Sequence, residues 1–128
     1  MPDALRFLGG LMPGGWDALR RANREGALAA RRMLAARLGV PLPAPDSMIG
    51  SLAALPLPDA PGGPRLPSPY KEPLQAALVG RHRIQVPIMP WPQAPKRLVR
   101  TSTQIYNEPQ DVERLAEALL LELLRERR

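Results

Sequence analysis

The chain has no cysteine and a single histidine among its 128 residues. Without cysteine there are no disulfides, thiolate metal ligands or thiol nucleophiles, and the composition fits a reducing compartment such as the cytoplasm. His82 alone cannot build a zinc site, and spacing places no serine-histidine-acid set around it. Lying between Arg81 and Arg83, where positive neighbours oppose protonation, it reads as a surface residue. Aromatic residues make up only 4% of the chain, too few for the stacking platforms of single-strand nucleic-acid binders. Lysine is confined to Lys71 and Lys96. The net charge of +6 is therefore carried by arginine, and the bias to Arg, Ala, Leu, Gly and Pro has a coding-composition explanation that requires no nucleic-acid partner. Long apolar runs are also missing. Leu115 to Leu124 is interrupted by Glu117 and Glu122 and reaches about half of the roughly 20 apolar residues a membrane span needs. The stretch Met1 to Gly15 has Asp3 ahead of any basic residue and breaks at Gly9-Gly10 and Pro13-Gly14-Gly15, unlike a signal peptide. The chain is expected to be soluble.

What is present reads as one domain over residues 1–128, large enough for a core but small for a complete cofactor-dependent enzyme. Asp3 can cap a short helix through Leu8, and Pro13-Gly14-Gly15 turns the chain into a longer one from Trp16. Trp16, Leu19, Asn23, Ala27, Ala30, Leu34 and Leu38 recur three and four apart and define its packed face. Arg20, Arg21, Arg24, Arg31, Arg32 and Arg37 fall mostly on the solvated face, and Asn23 reads as a buried amide with a hydrogen-bonding role. Gly39 and Pro41 end this helix. Ser47 to Leu57 is apolar on both alternating faces, as in a strand covered on both sides, and Pro56 to Pro69 is a proline- and glycine-rich loop. Pro73 opens a short helix through Leu78 that Gly80 stops. A strand carries Ile84, Val86 and Ile88, with Pro87 marking an edge or a bulge. Lys96 to Ser102 is the third strand, with Leu98, Arg100 and Ser102 on one face and Arg97, Val99 and Thr101 on the other. Asn107 should cap the last helix, with Pro109 in its first turn and Gln110 closing a capping box. Val112, Leu115, Ala116, Leu119 and Leu123 form its inward stripe, widened by Leu120, Leu121 and Leu124. The fold class is α+β, a small three-stranded antiparallel sheet with helices packed on one face, the third strand lying between the first two.

Arg100 is the candidate site residue. Its planar guanidinium can donate two parallel hydrogen bonds to a carboxylate and stays charged at any working pH. Ser102, Tyr106 and Asn107 follow it toward a helix N-terminus, so donors and positive potential gather near the cation and favour an anion. Asp46 and Asp59 are explained by turn chemistry. No catalytic residue, nucleophile elbow, phosphate-cradling glycine loop or metal-ligand set is found.

Four segments resemble the C-terminal portion of class V aminotransferase-fold proteins of the isopenicillin N epimerase-like branch. They are Leu5-Arg6-Phe7-Leu8 with Pro13-Gly14-Gly15-Trp16; Leu38-Gly39 with Pro43 to Met48; Pro73-Leu74-Gln75 with Ile84 to Pro87; and Arg100 to Asn107 with Glu113-Arg114-Leu115-Ala116. The resemblance implies the small C-terminal domain of a fold type I pyridoxal phosphate enzyme, in which Arg100 matches the arginine that grips the substrate α-carboxylate. It implies that the Schiff-base lysine and the cofactor-binding residues belong to a large domain absent here, since Lys71 and Lys96 do not match that lysine. The cofactor would then be pyridoxal phosphate in the complete enzyme, with none bound by this chain alone. The partners implied are the large domain or a partner chain, an amino-acid substrate and, in the complete enzyme, a second copy as homodimer. The chain alone should be inactive, and a cysteine desulfurase is disfavoured for lack of cysteine, whereas epimerase, transaminase and lyase remain open. The alternative is a non-enzymatic module whose basic helix binds an acidic protein or nucleic acid. A domain parted from its partner should also expose apolar surface on the Leu98 and Arg100 face and along Gly9 to Gly15, and self-associate.

Overall fold

A computed structural model describes residues 2–62 and 72–127. In chain order it contains α1 (Pro2–Gly10), α2 (Gly15–Leu38), a 3-10 turn (Asp46–Met48), β1 (Leu52–Leu57), α3 (Pro73–Ala77) running into a π-helical turn (Leu78–His82), β2 (Ile88–Pro90), β3 (Arg97–Ser102) and α4 (Pro109–Glu126). The sheet has the order β1-β3-β2 with both pairings antiparallel, as expected. Residue 63 onward of the proline-rich loop, and Lys71, lie outside the described residues.

Register decides which side chains enter the core. Ala53, Leu55 and Leu57 of β1 stand opposite Thr101, Val99 and Arg97 of β3, and Ile88 of β2 also pairs with Val99. Because side chains alternate across a strand, these residues share one face, onto which the helices pack. Leu34 of α2, Leu74 and Leu78 of the α3 segment, and Leu115, Ala116 and Leu119 of α4 close the core against them. The other face carries Leu52, Ala54, Pro56, Met89, Leu98, Arg100 and Ser102, none of them buried. The expectation that β1 is covered on both faces is thus corrected. Its length is corrected as well, since Asp46–Met48 coils into a 3-10 turn before β1 begins.

The helices follow their apolar spacing closely. Leu19, Asn23, Ala27, Ala30 and Leu34 of α2 are buried as the three-and-four pattern required. The helix begins after Gly14 and stops at Gly39, whose left-handed φ of 66° turns its N–H back to the Ala35 carbonyl. Asp3 sits inside the first turn of α1 instead of capping it. In α4 the buried stripe widens through Ala118, while Leu121 and Leu124 are exposed. Asn107 is not its cap. The Asn107 Oδ1 accepts from the Gln104 N–H at 2.9 Å and closes a turn there, so the cap moves one residue on. Glu108 takes it, with its N–H donating to the Asp111 carboxylate at 3.1 Å in place of the expected Gln110.

Five charged residues, Arg24, Arg31, Arg32, Asp46 and Arg97, have roles that periodicity alone does not reveal. Arg31 of α2 is buried, donating to the Ala44 carbonyl at 2.9 Å and to Asp46 Oδ1 at 2.6 Å. Asp46 is also held by Arg32, and Arg24 donates to the Asp46 and Ile49 carbonyls at 2.8 Å and 3.0 Å. This clamps the chain between α2 and β1 onto the arginine side of α2. Arg97 is buried on the helix-facing side of β3, where it binds the Pro58 carbonyl, Glu72 and Glu126. Burial alone would lower its pKa, but hydrogen bonds and attraction from Glu126 and Glu72 outweigh that and hold it above the ordinary arginine value. Asn23 is buried as expected, yet its Oδ1 has no hydrogen-bond partner among the described residues.

Candidate functional site

Pro87 shapes the site. The β2–β3 ladder ends at Ile88 opposite Val99, and only the Arg100 N–H reaches further, donating to the Pro87 carbonyl at 3.0 Å. Proline has no N–H to return to Arg100, so the ladder stops and residues 84–87 lie outside the sheet. The strand expected from Ile84 is for this reason only Ile88–Pro90. Because the Arg100 N–H faces this side, strand alternation turns the Arg100 carbonyl and the Ser102 N–H the same way, along an edge that β2 no longer covers.

That edge borders a cavity of about 450 Å³. Gly26, Ala29, Ala30 and Met33 of α2 form one wall, Ile84 to Pro87 another, and Arg100 to Thr103 a third. Asn107 to Pro109, with Asp111, Val112, Glu113 and Leu115 of α4, complete it. Met33, Ile84, Val86 and Val112 are partly buried against the core, so the cavity has an apolar floor. Its rim is polar, with Arg100, Ser102 and Thr103 on the strand side and Glu108, Asp111 and Glu113 on the helix side. Its size lies within the range of small-molecule sites, roughly 300–1,000 Å³.

Arg100 is exposed, on the sheet face opposite Val99, and its guanidinium makes no hydrogen bond or ion pair among the described residues. Ser102 and Asn107 join it in the cavity wall, whereas Tyr106 does not and is 77% exposed in the turn before α4. The Asn107 side chain is committed to the Gln104 turn. Of the four residues singled out from sequence, three therefore meet at one cavity. The α2 wall was missed. Gly26, set among strong helix formers, was its available signal: a Cβ there would lie 2.7 Å from Thr103 Cγ2, so glycine lets the helix approach the strand end.

His82 is no surface residue. Its side chain is 20% exposed and its Nε2 lies 2.8 Å from Glu122 Oε1. Arg81 also reaches Glu122, and Arg125 donates to it at 2.5 Å. Gly80 fails to stop the preceding helix because the chain widens into the π turn, and it is Arg83, at φ 57°, that ends it. No described helix is long and apolar enough to cross a membrane.

An α+β small domain with a three-stranded antiparallel sheet has the form implied by the resemblance to class V aminotransferase C-terminal domains. Comparison with known sequences agrees. No family model matches the chain. It is 36% identical over 121 residues to isopenicillin N epimerase from Amycolatopsis lactamdurans, covering 93% of this chain and 27% of that protein. It is 33% identical over 120 residues to isopenicillin N epimerase from Streptomyces clavuligerus, covering 92% of this chain and 27% of that protein. It is 30% identical over 125 residues to the "Probable L-cysteine desulfhydrase, chloroplastic" of Arabidopsis thaliana, covering 93% of this chain and 26% of that protein. The chain thus spans about a quarter of the length of the curated relatives it matches. It is homologous to a part of these class V aminotransferase-like proteins, as a C-terminal domain would be.

Proposed function

We propose that this chain is the small C-terminal domain of a pyridoxal phosphate-dependent enzyme acting on an amino acid, and that Arg100 holds the α-carboxylate of its substrate. The observation that carries the reading is Arg100 itself: its exposed guanidinium has no protein partner among the described residues, and the residue borders a cavity together with Ser102 and Asn107. An arginine so placed is available to a carboxylate that comes from outside the domain. Among the described residues no lysine lines the cavity, and Lys96 is exposed in the loop before β3. In this reading pyridoxal phosphate is held on a large domain or partner chain of the complete enzyme, a homodimer, and the present chain alone turns over no amino acid. Epimerisation, transamination and elimination all fit it; Ser102 supports the carboxylate, and Asn107 and Tyr106 shape the turn beside it.

The alternative, a basic module for acidic proteins or nucleic acid, has less support. Arg24, Arg31 and Arg32, three of the arginines assigned to its binding face, are occupied with Asp46 and nearby carbonyls. The test is Arg100→Ala in the enzyme reconstituted from both parts. It should weaken amino-acid binding at least about tenfold, as expected for a lost hydrogen bond to a charged group, with circular dichroism unchanged. Unchanged affinity would sink the reading.

A further inference from the structure

We infer that the cavity beside Arg100 is a side-chain pocket, and that the ligand it takes is an α-amino acid with a bulky apolar side chain. This rests on the reading of Arg100 as the carboxylate holder and adds what lies beyond the carboxylate. Three observations carry it. Ala29, Ala30, Met33, Ile84, Val86 and Val112 line the cavity, so it rewards apolar surface. The volume of about 450 Å³ exceeds what a methyl or hydroxymethyl group could fill, and a small ligand would leave much of it wet or void. The rim is divided in charge. Arg100 stands on the strand side, while Glu108, Asp111 and Glu113 stand on the helix side, Asp111 being tied to the α4 cap.

The divided rim selects for zwitterions. A plain carboxylate would meet Arg100 but also the three acidic side chains, whereas an α-amino acid brings an ammonium group that those carboxylates attract. Gly26 lets α2 approach Thr103 at one end of the pocket, since a Cβ there would lie 2.7 Å from Thr103 Cγ2.

The experiment is a calorimetric or NMR titration of the 128-residue chain with phenylalanine, alanine, 3-phenylpropionate and phenethylamine. Phenylalanine should bind at least about tenfold more tightly than alanine, from the apolar area it buries, and more tightly than either single-charge analogue. Ala29 is exposed at the cavity wall, so Ala29→Phe can fill the pocket without disturbing the core, and it should abolish phenylalanine binding. Arg100→Gln should do the same through the carboxylate. Equal binding of alanine and phenylalanine, indifferent to Ala29→Phe but lost in Arg100→Gln, would overturn the pocket and leave the carboxylate reading standing. Binding lost in Ala29→Phe but indifferent to Arg100→Gln would uphold an apolar pocket and remove Arg100 from it. Absence of binding by all four compounds would overturn the pocket as a property of this domain.

Discussion

Glu122 is the least sequence-legible of the important residues. It sits in a leucine run on α4 and looks like the solvated interruption of an apolar stripe, yet its side chain is only 3% exposed. Burial alone would raise its pKa. Hydrogen bonds from His82 and Arg125, with the charges of Arg125 and Arg81, outweigh that and hold the carboxyl below its usual range. A carboxyl with a lower pKa folded than unfolded binds fewer protons in the native state, so its contribution to stability is complete above the unfolded value, about 4.3. It is lost as pH falls below that value and through the folded one. Glu122→Gln should therefore cost about 1–3 kcal/mol near neutrality. The deficit relative to the native chain should shrink as the urea midpoint is followed from pH 7 down to about pH 3. A deficit that is constant over that range would show that Glu122 acts through packing alone. Asp46 teaches a similar lesson. By sequence it is indistinguishable from Asp59, each a turn former among prolines, but only Asp46 is reached by Arg31 and Arg32 across a long stretch of chain.

At the scale of elements, α2 and α4 were legible because their apolar spacing runs over many turns, so that a single misplaced residue does not change the face. Short elements were not. The β2 ladder is three residues long because Pro87 ends it, and Ile84 and Val86 instead pack on the core from outside the sheet. The cap of α4 was misjudged by one residue because Asn107 and Glu108 compete, and the Gln104 turn takes Asn107. The approach of α2 to the end of β3 is a matter of element geometry, and Gly26 controls it. In an isolated helix, replacing glycine by alanine gains about 1 kcal/mol. Here the added Cβ would lie 2.7 Å from Thr103 Cγ2, and the Thr103 N–H is pinned to the Ser51 carbonyl at 2.8 Å, so the strand end cannot simply retreat. Gly26→Ala should therefore destabilise the domain. Adding Thr103→Ser, which removes the clashing methyl, should restore the helix gain, giving a double-mutant coupling of about 1 kcal/mol or more by chemical denaturation. Additive effects would mean that helix and strand end are not in contact.

On the scale of the whole molecule, the three-stranded order puts β3 between β1 and β2, both antiparallel to it, and the connection from β1 to β2 that carries α3 is a crossover packed on the same face as the other helices. The cavity does not follow from that order, since its walls come from α2, from residues 84–87 and from residues 100–115, which are apart in sequence. The same one-sidedness leaves surface over. The sheet face opposite the helices carries Leu52, Ala54, Pro56, Met89 and Leu98 beside Arg100, with Leu52 49% exposed. Helix α1 has no buried residue and exposes Leu5 and Phe7, the latter at 67%. Contiguous apolar area of this kind marks a contact surface. The 128-residue chain is accordingly expected to self-associate at micromolar concentration and to enhance the fluorescence of a hydrophobic dye. Sedimentation equilibrium measures the first. Leu52→Glu and Phe7→Glu together should shift the chain toward monomer and reduce dye binding, without lowering its thermal midpoint, because neither side chain belongs to the core. A native chain that is monodisperse and indifferent to the dye would mean these side chains are ordinary exposed hydrophobics, and that the sheet face and α1 have no counterpart to meet.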